Sequence, residues 1–248
     1  MTEASPSAPP RPDARPLYAQ VEAILTGRIV GGDWPPGHAL PAEPELAQEL
    51  GVSHGTVRKA LAALEARRLI ERRQGKGTFV AQHTSEQARD HFFRVRDLEG
   101  REANPTSLVL SLHTDAATPA EAAAFALPAE AAVHRLRRLR LQDGQPFLVE
   151  EITLPAAIFP GFTLALGREL PDELYVLYQR RHGVTVVRTR ESLSALPAGA
   201  AEADLLGVPP GTALLAVERR TWDAAGRVVE QRLSQLNTAR FRYVMELD

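Results

Sequence analysis

Side chains that can hydrogen-bond to bases or phosphates are concentrated in one short segment of the chain: Ser53, His54, Gly55, Thr56, Arg58 and Lys59. Ser53 is of a type that caps helices, and apolar residues recur at helical spacing along 54–68. Arg58 and Lys59 then point away from the apolar face. We predict a helix whose first turn presents donors and acceptors to solvent, with Gly55 keeping that end slim.

A second group of polar and glycine residues follows that helix: Gln74, Gly75, Lys76 and Gly77. It lies between β-like runs at 69–73 and 78–80, which predicts a hairpin with a basic tip. Upstream, residues 43–50 form a predicted helix with two acids in its first turn, and Gly51 ends it. Two helices, a short turn and a glycine hairpin in this order are typical of a winged helix-turn-helix.

Positive charge is local rather than general. Residues 54–80 carry seven Lys or Arg against two acids, a net of +5, so the remainder carries −7 of the total of −2. A local basic face is compatible with nucleic acid despite a near-neutral total. The alternative is a helical hairpin with a solvated basic face. The combination of elements favours DNA, with the second helix in the major groove and the hairpin at the backbone or minor groove.

Composition limits the other classes of function. The 248 residues are 44% hydrophobic and include no cysteine, which excludes disulfides and thiolate metal sites. No apolar run reaches the ~18 residues of a membrane span. Residues 1–15 are rich in Pro, Ser and Ala, which predicts a disordered tail. We expect a cytoplasmic protein without membrane contact.

The remaining two-thirds of the chain has a different pattern. Residues 81–91 are polar and are interpreted as a linker, and 92–248 alternate strands, turns and short helices. Hairpin signals stand at Asp143-Gly144 and Ala225-Gly226. Helices are predicted over 116–127, 173–182 and 200–206. Hairpin-linked strands of this kind predict an antiparallel α+β domain.

Arg138 and Arg140 are two residues apart on a predicted strand, so their side chains share one face. Converging guanidinium groups bind a carboxylate or phosphate through charge-assisted bonds. A two-residue turn at Asp143-Gly144 puts Glu151 on the arginine face, whereas a three-residue turn with a bulge pairs Arg138 with Glu150. The alternative is a solvated strand whose arginines pair with surface acids.

Residues 16–80 resemble the N-terminal domain of the GntR family of bacterial transcription regulators. The matching segments are Pro16-Leu17-Tyr18-Ala19-Gln20, Pro36-Gly37, Leu40-Pro41-Ala42-Glu43, Leu46-Ala47, Gly51-Val52-Ser53, Thr56-Val57-Arg58 and Gly75-Lys76-Gly77-Thr78-Phe79-Val80. Two departures stand where the family usually has arginines that contact DNA, at Pro44 and His54. No arginine contact is therefore carried over to either position. We expect that either the operator differs from the common family site or binding is weaker.

Residues 92–248 resemble the effector-binding UTRA domain of the HutC subfamily, which implies a chorismate-lyase-like fold. The matching residues include Arg138-Leu139-Arg140, Asp143-Gly144-Gln145-Pro146, Glu150, Leu174-Tyr175, His182-Gly183-Val184, Arg219, Val229-Glu230 and Arg242-Tyr243. In the family the equivalents of Arg138, Arg140 and Glu150 line the effector pocket, so we favour Glu150 and the bulged turn it requires. Tyr175 is a weaker candidate, because an aromatic at helical spacing is more often core. The family often has Ser at position 173 and Arg at position 237.

Catalysis is not expected. The seven histidines show no metal-ligand spacing, and no nucleophile elbow or phosphate-binding loop occurs. Glu150 and Glu151 are adjacent on a strand and face opposite ways, so they cannot form an acid–base pair. We expect no enzyme activity, no metal and no cofactor. An architectural DNA-binding protein whose second domain only dimerises is the remaining alternative, and the elaboration of that domain argues against it.

The resemblances together imply a ligand-responsive transcription regulator, expected to act as a repressor. Helix-turn-helix proteins read two half-sites with two-fold symmetry, so we expect a homodimer on a pseudo-palindromic double-stranded DNA operator. The expected effector is a small anionic metabolite of the sugar phosphate, carboxylate or phosphonate class. Its binding at Arg138 and Arg140 would change the preferred spacing of the two DNA-binding heads.

Overall fold

The computed structural model describes residues 15–170 and 173–246, with only the backbone at 89–91. The predicted tail, apart from Arg15, lies outside these residues. The helices are α1 Leu17–Gly31, α2 Glu43–Leu50, α3 His54–Ala66, α4 Ser85–Phe92, α5 Pro119–Phe125, α6 Leu174–His182 and α7 Ala200–Leu206. The strands are β1 Ile70–Arg73, β2 Gly77–Val80, β3 Val95–Asp97, β4 Thr106–Ala116, β5 Ala132–Gln142, β6 Gln145–Pro155, β7 Val186–Pro197, β8 Ala213–Asp223, β9 Val228–Leu236 and β10 Phe241–Tyr243.

The first three helices and the β1–β2 hairpin form the predicted winged helix-turn-helix, which we call the head. Its core joins α1 to α3 through Leu25, Leu46, Leu61 and Leu64, each at most 1% exposed. Gly51 ends α2 at φ 64°, in the left-handed region that glycine adopts without strain. The chain can therefore reverse within the three residues before α3.

The second domain is built on a six-stranded antiparallel sheet in the order β4-β5-β6-β9-β8-β7. Two three-stranded meanders, β4–β5–β6 and β7–β8–β9, meet where β6 pairs with β9. Helix α6 packs on one face through Leu174, Tyr175 and Tyr178, all buried. The predicted α+β class is thus confirmed, and the face under α6 is where chain segments from both meanders converge.

The β5–β6 hairpin confirms the pairing of Arg138 with Glu150 but not the predicted turn. Asp143 and Gly144 have φ of 53° and 74° and form a two-residue loop, because Gln142 pairs with Gln145. The extra residue lies further along, where the register shifts between Arg140 and Leu141. The expected bulged turn was therefore wrong, and a bulge inside β6 produces the same register.

Two other predicted elements differ from the structure. The helix expected over 116–127 covers only Pro119–Phe125, since β4 continues to Ala116 and Thr118 caps the helix by accepting a bond from the Glu121 amide at 3.3 Å. The segment 81–91, interpreted as a linker, contains most of α4. Of the described helices, none has the length and apolar character that crossing a bilayer requires.

Candidate DNA interface and ligand site

The first turn of α3 is exposed to solvent, and Ser53 caps it. The Ser53 hydroxyl accepts a bond from the Thr56 amide at 3.2 Å and lies 2.9 Å from the Thr56 hydroxyl. Ser53, His54, Gly55 and Arg58 are exposed, and Thr56 is half-buried. A Cβ at Gly55 would meet only the Ser53 hydroxyl, at 3.8 Å. Packing inside the head therefore does not require glycine at position 55. The missing side chain of Gly55 matters only for how closely a bound surface can approach.

Arg58 is positioned by the neighbouring helix. Its Nε donates to Glu43 at 3.2 Å, and Glu43 also lies 3.5 Å from Arg72 of β1. The Arg58 side chain nevertheless remains 70% exposed. Exposed ion pairs of this kind add little stability, so Glu43 acts mainly to orient the two guanidinium groups on one surface.

Lys59 is exposed beside Arg58 on α3 and extends toward α1. Its Nζ is 4.0 Å from the centroid of the Tyr18 ring of α1, a cation–π distance. Lys59 therefore contributes to the α1–α3 packing within the head as well as carrying charge.

The hairpin tip forms the wing. The Lys76 amide donates to the Arg73 carbonyl at 2.9 Å, and Gly75 and Gly77 take φ of 70° and 111°. The four residues 74–77 are all exposed. Behind the tip, the Arg73 guanidinium covers the Phe79 ring at 4.4 Å. The wing thus exposes Gln74, Lys76 and two glycines with open space around them. The contact of Arg73 with Phe79 supports the strands behind the tip.

Arg138 and Glu150 form a buried ion pair in the second domain, with side chains 1% and 2% exposed. Arg138 Nε donates to Glu150 at 2.6 Å, and Arg232 of β9 and Ser234 donate to the other oxygen at 3.0 and 3.1 Å. Burial alone would raise the pKa of Glu150, but the charges of Arg138, Arg232 and Arg140 hold that pKa well below its usual range. Glu150 is therefore a fixed anion at the junction of the two meanders.

Arg140 pairs with a carboxylate that sequence reasoning did not place in the site. Its two terminal nitrogens donate to Glu173 at 3.1 and 2.9 Å, and its guanidinium lies 4.9 Å from the Phe93 ring centroid. Glu173 is the N-cap residue of α6, but its side chain does not cap the helix. The arginine thus holds the start of α6 against the sheet.

Tyr175 is buried under the same helix, 4% exposed. Its hydroxyl donates a hydrogen bond to Glu230 at 3.1 Å and accepts one from Arg219 at 3.3 Å. Its ring packs edge-on against Phe92, with 4.9 Å between the ring centroids. Burial, then the charge of Glu230, raises the pKa of Tyr175. The predicted site residues Arg138, Arg140 and Tyr175 border one small cavity, whereas Glu150 lies behind Arg138.

That cavity is nearly closed in this structure. Helix α4 and the residue after it cover it with Ala88, Phe92 and Phe93, and the Arg219 guanidinium donates to the Phe92 carbonyl. The free volume is about 20 Å³, which is room for roughly one water molecule and too little for a metabolite. A small molecule can therefore occupy the site only if the wall formed by α4 or by Glu173 moves.

Sequence reasoning missed Arg219, Arg232, Glu173 and the α4 cover. Arg219 and Arg232 face each other across β8 and β9, so they share a face with Glu230 and Ser234. The alternation of Glu230, Arg232 and Ser234 along β9 was a usable signal, since polar side chains at every second position of a strand's inner face mark a polar site. The contact of α4 with the sheet had no comparable signal.

Helix α6 also holds the segment that leads from the head. The Gln179 side chain accepts from the His83 amide at 2.8 Å and donates to the Ala81 carbonyl at 3.2 Å. His83 in turn lies 3.1 Å from the Val186 carbonyl. One helix thus contacts the cavity at its start and the head's connection two turns later.

Two segments of the chain match two family models. Residues 17–80 match the model of bacterial regulatory proteins of the gntR family, and residues 100–242 match the UTRA domain. The regulator SmoD of Agrobacterium fabrum is 31% identical over 94% of this chain and 96% of its own. The histidine utilization repressor of Pseudomonas putida is 31% identical over 88% of this chain and 87% of its own.

Solved structures agree with these matches. The ligand-binding domain of a GntR-family regulator from Bordetella bronchiseptica superimposes with a TM-score of 0.59 at 31% identity, covering 64% of this chain and 98% of its own. PhnF from Mycobacterium smegmatis covers 92% of this chain and 100% of its own, with a TM-score of 0.54 at 26% identity. This chain belongs to the GntR family of bacterial regulatory proteins and is a DNA-binding transcription regulator with a UTRA domain.

Proposed function

We propose that this protein is a repressor whose affinity for a pseudo-palindromic operator is modulated by a small anionic metabolite. The observation that carries the proposal is the geometry of α6, which meets Arg140 and the cavity at Glu173 and Tyr175 and holds the head's connection at Gln179. A ligand that moves the start of this helix changes the support of the head. Such a ligand alters operator affinity only if it binds the two arrangements differently.

On the DNA side, the proposed contacts are the exposed groups of α3 and the wing. His54, Thr56 and Arg58 are proposed to face base edges, with Ser53 and Gly55 allowing close approach. Lys59, Gln74, Gly75, Lys76 and Gly77 are proposed to face the backbone. The +5 charge of residues 54–80 supports this assignment.

Homodimerisation through the second domain is part of the proposal, because two heads are needed for two half-sites. The outer half of edge strand β7 supports it. Residues 192–197 are exposed on both faces, and Leu193 and Leu196 remain 45% and 39% exposed. An uncovered apolar sheet edge favours pairing with another strand, and a second copy of the chain would supply one.

The ligand's chemistry is proposed from the arginines. Arg138, Arg140, Arg219 and Arg232 all border the cavity, and guanidinium groups bind carboxylates and phosphates through paired hydrogen bonds. A carboxylate, sugar phosphate or phosphonate fits this description. A cavity of about 360 Å³ at the boundary between the domains, lined by Ile70, His83 and Val187 among others, leaves room for the associated movement. No catalytic step is proposed.

A direct test starts with DNA upstream of the protein's own gene. We expect the full chain to protect two half-sites about one DNA turn apart. Carboxylates, sugar phosphates and phosphonates are then screened by thermal shift, and stabilising compounds are added to the protein–operator complex. Release or tightening of the operator supports the proposal. Sequence-independent DNA binding, or a ligand that binds without changing operator affinity, contradicts it.

Replacing Lys76 by alanine tests the wing. The variant should bind all DNA sequences more weakly, and the slope of log affinity against log salt should become shallower by ~1 for each head if Lys76 contacts one phosphate. Arg101→Ala is the matched control, since it removes one exposed positive charge from the second domain. An unchanged slope for the Lys76 variant would remove the wing from the phosphate contacts.

A further inference from the structure

The donors of Arg140 that would receive an anion are already occupied from within the chain. Both terminal nitrogens of Arg140 donate to the two oxygens of Glu173. The Arg140 side chain is 1% exposed, so an external carboxylate or phosphate can reach the same nitrogens only after Glu173 leaves them. The remaining Nε of Arg140 is buried and has no hydrogen-bond partner among the described residues.

The surrounding cluster is balanced in charge. Its four arginines each contact a carboxylate of the same cluster: Arg138 with Glu150, Arg140 with Glu173, Arg219 with Glu191, and Arg232 with Glu150 and Glu230. Within this cluster of described side chains, an entering anion therefore meets no net positive charge. It gains a strong electrostatic contact only by replacing one of the carboxylates.

Glu173 is the carboxylate placed to be replaced. It belongs to the N-cap of α6 rather than to a strand, and its side chain is 15% exposed, compared with 2% for Glu150 and 0% for Glu230. Glu191 is 12% exposed, but it lies on β7 and accepts bonds from both Arg219 and Tyr243. Glu150 also accepts bonds from three side chains on two strands, whereas Glu173 contacts Arg140 alone through its carboxylate among the described bonds. Turning Glu173 toward solvent leaves the sheet intact.

Glu173 is ionised at neutral pH. Burial alone would raise the pKa of Glu173, but the charges of Arg140 and Arg138 outweigh it and hold that pKa below its usual range. Its main-chain amide donates to the Ser85 hydroxyl at 3.2 Å, at the start of α4. The residue thus joins the arginine, the start of α6 and the helix that covers the cavity.

We infer that Glu173 is a tethered competitor for the anion site, so that an anionic ligand binds by taking the place of the Glu173 carboxylate on Arg140. This inference rests on the proposed function and adds the residue that determines anion affinity. Ligands whose anionic group competes poorly with a carboxylate are rejected. A successful ligand detaches the start of α6 from Arg140, and movement of α6 would reach Gln179 and the head's connection.

The test measures binding of inorganic phosphate to the full chain at constant ionic strength by titration calorimetry. Glu173→Gln should bind phosphate at least tenfold more tightly than the unmodified chain, a change of ~1.4 kcal/mol. Glu169→Gln is the control, because it removes an exposed negative charge nearby that makes no contact with Arg140 in the described structure. Adding Arg140→Gln to Glu173→Gln should remove the gain.

Equal phosphate affinity in Glu173→Gln and the unmodified chain overturns the inference, as does a gain that survives Arg140→Gln. If Glu173→Gln does not fold alone, two readouts replace the titration. The first is its recovery on refolding with phosphate, expected for Glu173→Gln and not for the double variant. The second is Glu173→Asp, which keeps the charge but shortens the reach to Arg140 and should bind phosphate with intermediate affinity.

Failure of this inference is distinguishable from failure of the proposed function. In one outcome, a metabolite changes the operator affinity of the unmodified chain while Glu173→Gln binds phosphate no more tightly than that chain. This result supports the proposed regulation and contradicts the competitor role of Glu173. If Glu173→Gln binds phosphate more tightly while no metabolite affects operator binding, the competitor role of Glu173 is supported and the proposed regulation is contradicted.

Discussion

Replacing Arg138 by alanine is expected to destabilise the second domain by about 3–5 kcal/mol, because it leaves a buried charge without its nearest partner. Glu150 is 2% exposed and would retain only Arg232, Ser234 and the more distant Arg140, whose Nη1 is 4.0 Å away. Chemical denaturation of the full chain measures the effect. Trp222 reports on the second domain when Trp34 of the head is replaced by Phe.

Two variants show whether buried charge is the cause. Arg101→Ala removes an arginine side chain that is 75% exposed in its ion pair with Asp97 and should cost at most about 1 kcal/mol. Arg138→Met combined with Glu150→Gln removes both buried charges and should recover part of the loss. A cost below about 1 kcal/mol for Arg138→Ala would contradict the buried network, given the expected penalty for an unpaired internal charge.

The effect of Arg138→Ala should depend on pH in a defined direction. The pKa of Glu150 is lowered in the folded chain, so its stabilising contribution is complete above the ordinary pKa of 4.5 and is lost as the pH falls further. In Arg138→Ala the pKa of Glu150 moves upward, and protonation relieves the unpaired charge. The difference in unfolding free energy between the two proteins should therefore be largest near neutral pH and shrink below about pH 4.5. A constant difference would assign the effect to packing.

Replacing Arg58 by alanine is expected to abolish specific operator binding. Arg58 is 70% exposed and oriented by Glu43, and one arginine–base contact is worth about 1–3 kcal/mol. A dimer loses the contact in both half-sites, so operator affinity should fall by about 2–6 kcal/mol, with a much smaller loss on unrelated DNA. Fluorescence anisotropy with operator and scrambled duplexes separates the loss of specific binding from the loss of general DNA affinity.

The head's fold explains why this variant should remain folded. Arg58 makes one exposed ion pair with Glu43, while the α3 core rests on Val57, Leu61 and Leu64. Thermal unfolding and sedimentation should match those of the unmodified chain. An unchanged affinity for the operator in a folded dimer would remove Arg58 from recognition and leave His54 and Thr56 as the candidates.

Much of the head was predictable because its signals are local. Ser53, Gly51 and the Gly75–Gly77 tip determine the ends of α2, α3 and the wing within a few residues of themselves. The bulge in β6 was not predicted, although Pro146 was a signal for it, because proline cannot donate to a ladder and in an inner strand is found mainly at bulges. The pairing of Arg138 with Glu150 was nevertheless predicted correctly, because the resemblance to the UTRA domain favoured Glu150 where the turn alone left Glu150 and Glu151 open.

The α4 helix and the full arginine cluster depended on distant parts of the chain. Helix α4 is eight residues long and mostly polar, so isolated propensity is weak and its packing on α6 decides the outcome. Arg219 and Arg232 lie more than 75 residues from Arg140 along the chain. Which arginines meet depends on the strand order, and no local pattern determines that order.

The meeting of β6 and β9 has a consequence for how the domain folds. Each meander can form from hairpins whose strands are close in sequence, whereas the β6–β9 contact closes a loop of roughly 80 residues and is expected to form later. Glu150 receives Arg138 from one meander and Arg232 and Ser234 from the other. A newly made chain consequently lacks the complete arginine–glutamate cluster, the proposed ligand site, until β6 and β9 have paired. Completion of that site and completion of the fold are therefore expected in the same kinetic step.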